Sequence, residues 1–153
     1  MAQPTPAQRM EQVIRTYIQA CNDGDAEAIA ACFCPEAVHY FSPPLHKCSG
    51  AATIGCFFAT RVPELGICFT VDQLAIDVDR CAAILEWTMF VQKPAPIVRR
   101  GLEWYVFEPQ TWRIQEVRGY SAAPLDSGMA RQELLDFDYA GRGYPTTSPA
   151  DHK

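Results

Sequence analysis

Three side chains of proton-handling type sit on faces that the sequence pattern turns inward: Tyr17, His39 and Glu103. His39 lies in Ala37-Val38-His39-Tyr40-Phe41, whose alternation puts Ala37, His39 and Phe41 on one face and Val38 and Tyr40 on the other. An imidazole there is either a packed strand histidine or a group that takes and returns protons near neutral pH. Glu103 shares a strand face with Tyr105 and Phe107, opposite Leu102, Trp104 and Val106. Burying an unpaired carboxylate costs several kcal/mol. Glu103 therefore either pairs with Arg99, Arg100 or Arg118, or stays neutral as a chemically useful acid. Tyr17 falls on the apolar stripe of a helix, so its phenol faces the interior, as a core tyrosine or as a donor to something bound there. His46, in a Pro-rich loop, is a competing base; His152, in the tail, is set aside.

The elements that position these groups are legible from period and punctuation. Met10, Val13, Ile14, Tyr17, Ile18 and Cys21 recur at helical spacing over about 7–22, with Thr5 as a cap and Pro6 at the first helical position. The run stops at Asn22-Asp23-Gly24-Asp25, where Gly24 suits a left-handed helix stop and Asp25 an N-cap. A short second helix, about 26–33, is closed by Pro35, and the strand bearing His39 follows. After the loop at 42–49, a third helix spans about 50–61, apolar at Ile54, Phe57 and Phe58 and ended by Pro63. The period then becomes alternating, with strands at about 67–77, 81–92, 98–108 and 112–121. Short turns between them imply an antiparallel meander. Helices first and strands afterwards mark an α+β fold. In the second of these strands Leu85, Trp87 and Met89 share one face, as pocket lining or as plain core.

At 153 residues, with 48% hydrophobic content, the chain is of one-domain length. A net charge of -5 argues against nucleic acid, which needs a basic face. No apolar run approaches the ~20 residues of a membrane span, and the first residues lack the apolar segment of a signal peptide. Seven cysteines, an odd number, several at apolar positions, read as reduced thiols in a cytoplasmic protein. A metal site from Cys32, Cys34, His46 and Cys48 is disfavoured. There is no C-x-x-C, and Cys32 and Cys34 would point apart on a helix.

Tyr17, the Asn22–Asp25 elbow, Ala28-Ile29, Phe33 and Ala37-Val38 together form a pattern. So do Gly50 to Phe58, Trp104 to Phe107, Trp112 to Ile114 and Arg118-Gly119-Tyr120. Over roughly residues 8–122 this pattern resembles the SnoaL-like and ketosteroid-isomerase-like branches of the nuclear-transport-factor-2-like superfamily. The resemblance implies a cone: a curved antiparallel sheet, three N-terminal helices and an enclosed cavity, with the cone domain at 1–122 and a C-terminal extension at 123–153. It also implies a small-molecule substrate, no cofactor and no metal, and a homodimer through the sheet's outer face, where Leu102, Trp104 and Val106 form an apolar row. The family's helix tyrosine maps to Tyr17 and its neutral strand acid to Glu103. Its base position maps to Phe41, which cannot accept a proton. His39, two residues earlier with the same facing, is the replacement base, with Tyr17 and Glu103 holding the developing oxyanion. Phe41, Phe58, Leu85, Trp87, Met89, Tyr105, Val117, Ser121 and His46 are the expected substrate contacts. The implied activity is that of a lyase or isomerase (dehydration, cyclisation or a double-bond shift) on a small apolar carbonyl compound. A non-catalytic binding or interaction module of the same fold is the alternative. An epoxide hydrolase is disfavoured, because Asp72, Asp77 and Asp79 fall at strand ends and turns. In the extension, 129–140 reads as an amphipathic helix on Met129, Leu134 and Phe137, and 145–153 as disordered. Its aromatics Phe137, Tyr139 and Tyr144 suit a cover for the cavity mouth or for a partner subunit.

Overall fold

The computed structural model describes residues 3–42, 44–122, 128–133 and 138–152. Helix α1, Pro6–Asp23, opens with a reciprocal capping box: the Gln8 N–H donates to Thr5 Oγ1 at 3.2 Å and the Thr5 N–H to Gln8 Oε1 at 2.8 Å. Gly24, at φ 68°, closes it. Asp25 then caps α2, Ala26–Ala31, accepting from the Ala28 N–H at 2.9 Å. Strand β1, Phe33–Tyr40, begins earlier than the sequence suggests and contains Pro35. Proline cannot donate to a ladder, and the pairing of β1 is irregular between Phe33 and Val38, which accommodates it.

After the short β2, Cys48–Ser49, helix α3 runs Ala51–Leu65. It passes through Pro63, where a stop was expected. The proline sits in the last turn, and Gly66, at φ 60°, ends the helix by donating to the Pro63 and Val62 carbonyls. Strands β3 (Cys68–Asp77), β4 (Ala82–Val91), β5 (Ile97–Phe107) and β6 (Ile114–Ser121) form the expected antiparallel meander. The whole sheet is mixed, however, because β1 pairs with β6 in parallel. The order is β2-β1-β6-β5-β4-β3, curved and open, with the helices packed on its inner face. Short turns announce the meander; the long-range β1–β6 pairing leaves no local mark. Met10, Ile14, Ile29, Ile54, Leu85 and Ile114, all fully buried, make up the core between the layers.

The C-terminal part departs most from expectation. Arg131–Gln132 form a strand, β7, parallel to the start of β5, where a helix was expected. Leu134 and Phe137 lie outside the described residues. The segment beyond, expected to be disordered, carries a buried Ser148 and a 3-10 turn at Pro149–His152. Tyr139 and Tyr144 lie not over the cavity but on the outer face of their own sheet. The Arg100 guanidinium lies 4.1 Å from the Tyr139 ring, and the Tyr144 hydroxyl donates to Glu86, which pushes that phenol up to about 12. Arg100 also donates to Thr88 Oγ1 (2.7 Å) and Glu133 Oε2 (3.1 Å). Among the described residues no helix is long and apolar enough to cross a membrane.

The helices meet closely at Gly55, where an added β-carbon would lie 2.4 Å from the Ala26 carbonyl oxygen. Gly55→Ala forces α2 and α3 apart. It is expected to cost about 1–3 kcal/mol, as overpacking does, seen as a lower urea midpoint with the m-value unchanged.

Candidate active site

Between α3 and the inner face of the sheet lies a cavity of about 400 Å³. Its walls are mainly apolar and aromatic, with Phe41, Phe57, Phe58, Phe69, Trp87 and Met89 among them, and His39 and Glu103 set into them. His39 is 1% exposed and stacks on Phe41 with ring centroids 4.2 Å apart. Its Nε2 is 3.3 Å from Glu103 Oε1. The oxygen lies off the N–H direction, so neither ring nitrogen has a hydrogen-bond partner.

The meeting of these two groups follows from the sheet register. His39 is opposite Val117 on β6, and Glu103 is opposite Gly119 on the same strand. Two strand spacings, roughly 10 Å, separate β1 from β5, and the two side chains span that gap. Gly119 lies between them; a β-carbon there would make ordinary contact, 3.9 Å from Glu103 Cγ and Oε1, so only a larger side chain would fill the gap they span. Glu103, 8% exposed, also accepts the hydroxyl hydrogen of Tyr105 at Oε2. Burial raises the Tyr105 phenol well above its ordinary range, and Glu103 raises it further, so Tyr105 is a fixed donor.

None of the three arginines considered in the sequence pairs with Glu103. Arg99 donates to Gln132, Arg100 points outward to Glu133 and Thr88, and Arg118 pairs with Glu116. Strand alternation explains two of these, since positions 100 of β5 and 118 of β6 face out. The neighbours of the Glu103 carboxyl group are the Tyr105 hydroxyl and the His39 imidazole.

A profile of the SnoaL-like domain matches residues 14–117. The chain belongs to the SnoaL-like family. Among solved structures, this SnoaL-like chain is 45% identical to a protein of unknown function with a cystatin-like fold from Methylobium petroleophilum PM1, with TM-score 0.73, covering 94% of this chain and 95% of that one. It is similar at 16% identity to SalBIII, described as an epoxide hydrolase/cyclase-like enzyme in pyran ring formation in the polyether salinomycin (TM-score 0.65; 74% and 91% covered). A candidate isomerase from Bacillus subtilis is 15% identical (TM-score 0.66; 77% and 89% covered). The last two show the shared fold alone. No protein with a curated description matches the chain.

In this SnoaL-like domain Phe41, Phe58, Trp87, Met89 and Ser121 line the cavity with His39 and Glu103. Tyr17 does not. It is buried one layer behind, its ring 5.1 Å from Phe33, 5.8 Å from Phe58 and 6.4 Å from Tyr105. Burial, with Cys21 and Glu103 adding, holds its phenol well above the ordinary range. Leu85, Tyr105 and Val117 face inward as expected but are fully packed at the closed end, behind the cavity wall. His46 is exposed, because the Pro-rich loop reaches the cavity only through Ser42, Pro44 and Leu45 among its described residues. The sequence reading missed Phe57, Phe69, Arg99 and Gly119. It also counted Trp87 as purely apolar, although its buried indole N–H has no acceptor. For Gly119 a signal was present: a glycine inside an alternating strand marks a close approach.

Tyr105→Phe leaves a buried carboxyl oxygen of Glu103 without its donor. A loss of about 1–3 kcal/mol is expected, measurable by chemical denaturation, with the β-sheet circular dichroism of the folded protein unchanged.

Proposed function

We propose that this SnoaL-like domain is a cofactor-independent acid–base enzyme, a lyase or isomerase acting on a small, largely apolar carbonyl compound. The observation that supports it most is His39: a buried imidazole on the wall of an apolar cavity, beside Glu103, with both nitrogens unpartnered. Structural histidines that are fully buried normally satisfy at least one nitrogen within the protein. In the reaction, a C–H bond next to the substrate carbonyl breaks, its proton passes to His39, and its electron pair forms an enolate. Glu103, held by Tyr105, stabilises the imidazolium that results, as a carboxylate beside a protonated histidine does. The Trp87 N–H is the unused donor available for the enolate oxygen. Return of the proton at another carbon gives isomerisation, delivery to a leaving hydroxyl gives dehydration, and attack of the enolate on a second carbonyl gives ring closure.

Deuterium uptake from D₂O into a cyclic ketone such as 1-tetralone, followed by NMR, reads the first step directly. His39→Ala is expected to lower the catalysed rate by roughly 100-fold or more. Glu103→Gln is expected to be nearly as harmful as Glu103→Ala, because the charge is what matters. Tyr17→Phe, remote from the wall, is expected to be mild. Full exchange activity in His39→Ala would leave a non-catalytic binding module as the reading.

The proposal includes a cytoplasmic setting, supported by seven unpaired cysteines, and a homodimer through the uncovered part of the outer face. There Leu102 is 40% and Tyr120 54% exposed, next to Ile84 and Trp104. Sedimentation at micromolar concentration should give twice the chain mass, reduced to one by Leu102→Glu.

A further inference from the structure

Arg99 is a cation in the cavity wall that a purely apolar carbonyl substrate leaves unexplained. It is half-buried, and its hydrogen bond is from Nε to the neutral amide oxygen Oε1 of Gln132, at 2.5 Å. Among the described residues no carboxylate lies within ion-pair distance of Arg99 or of Lys93, an exposed cation at the rim of the same cavity. Arg100 and Arg118, on the same sheet, each have a glutamate, and Arg61, also on the wall, has Glu64 at 3.1 Å. Burial lowers the pKa of Arg99 with no acid to offset it. A guanidinium taken partly out of water without a counter-charge is costly, and a ligand anion would supply the missing charge.

The position of this cation defines the shape of what binds. Arg99 and Glu103 face inward on β5 four residues apart, roughly 14 Å along the strand. Between them is Gly101, where an added β-carbon would lie 2.5 Å from Trp87 Cζ2 and 2.7 Å from Cη2. The missing side chain lets the indole lie across β5, as a flat apolar strip between the cation and the His39–Glu103 pair.

We propose that the substrate is a carboxylate: an aromatic or alicyclic acid whose carboxylate sits at Arg99 and Lys93, whose rings lie on Trp87, and whose far end reaches His39. With Nε committed to Gln132, Arg99 offers its two terminal nitrogens, a planar fork that matches a carboxylate. The inference takes from the preceding reading that this cavity is the substrate site.

The test is binding, by calorimetry, of 2-naphthoate, 2-naphthamide and 2-naphthyl phosphate to the full chain. The naphthoate is expected to bind about 10–100-fold tighter than the amide, the worth of one charge-assisted contact. Its advantage should shrink with added salt and disappear in Arg99→Gln. Lys93→Gln, which removes no structural contact, should reduce it and covers the case in which Arg99→Gln fails to fold. His39→Ala should retain it. Equal binding of acid and amide, binding of neither, tighter binding of the phosphate, or a preference that survives both Arg99→Gln and Lys93→Gln overturns the proposal. Because the readout is affinity, a carboxylate preference with His39-independent exchange would keep this subsite and remove the reaction. His39-dependent exchange with no carboxylate preference would do the reverse.

Discussion

A carboxyl group on the inner face of a strand, surrounded by aromatic rings, persists only if its oxygens find partners, because desolvation costs more than packing around it returns. Glu103 has a hydrogen bond on one side, from the Tyr105 hydroxyl two residues along its own strand, and on the other lies within ion-pair distance, 3.3 Å, of the His39 imidazole across β6. Much else follows from that arrangement. Position 119 must stay small, β1 must join β6 in one register, and Tyr105 must be packed firmly enough to hold its hydroxyl in place. The cavity then begins where this packed layer ends, with Tyr17, Leu85 and Val117 beneath it and His39 and Glu103 at its floor.

How much of this the sequence reveals depends on the range of the interaction. Helix ends are local, and Thr5, Gly24 and Asp25 cap as their residue types predict. Facing is local too: strand alternation puts Ala37, His39, Glu103, Tyr105 and Phe107 inside, as observed. Pro63 misleads because a proline in the last turn forfeits a single hydrogen bond, which a helix with a good glycine cap tolerates. Depth is not local at all. Tyr17 and Trp87 both face inward, yet one is core and the other wall, and only the three-dimensional arrangement of α1, α3 and the sheet decides which. The same holds for the partner of Glu103, since nearby arginines in sequence lost to a histidine on another strand.

Strand β5 carries different business on its two faces. Inward it presents Arg99, Glu103 and Tyr105; outward, Arg100 is enclosed by Tyr139, Thr88 and Glu133. The C-terminal segment thus substitutes for solvent on part of the sheet that a shorter chain would leave bare, and β7 reaches around to hold Arg99 through Gln132. The outer covering and the cavity wall are tied together at consecutive residues.

The parallel pairing of β1 with β6 has a bearing on biosynthesis. Ser42 and Gly119, which hydrogen-bond at the end of that pairing, are 77 residues apart in the chain. As the polypeptide leaves the ribosome, α1 and α2 can form early and the β3–β5 hairpins can close as they emerge. The strand bearing His39 can pair early with the two-residue β2 on one edge, but its other edge has no neighbour until β6 has been made, and closing so long a loop is slow relative to local steps. The two halves of the site are separated in the translated message by most of the sheet, and the cavity closes only once β6 has joined β1.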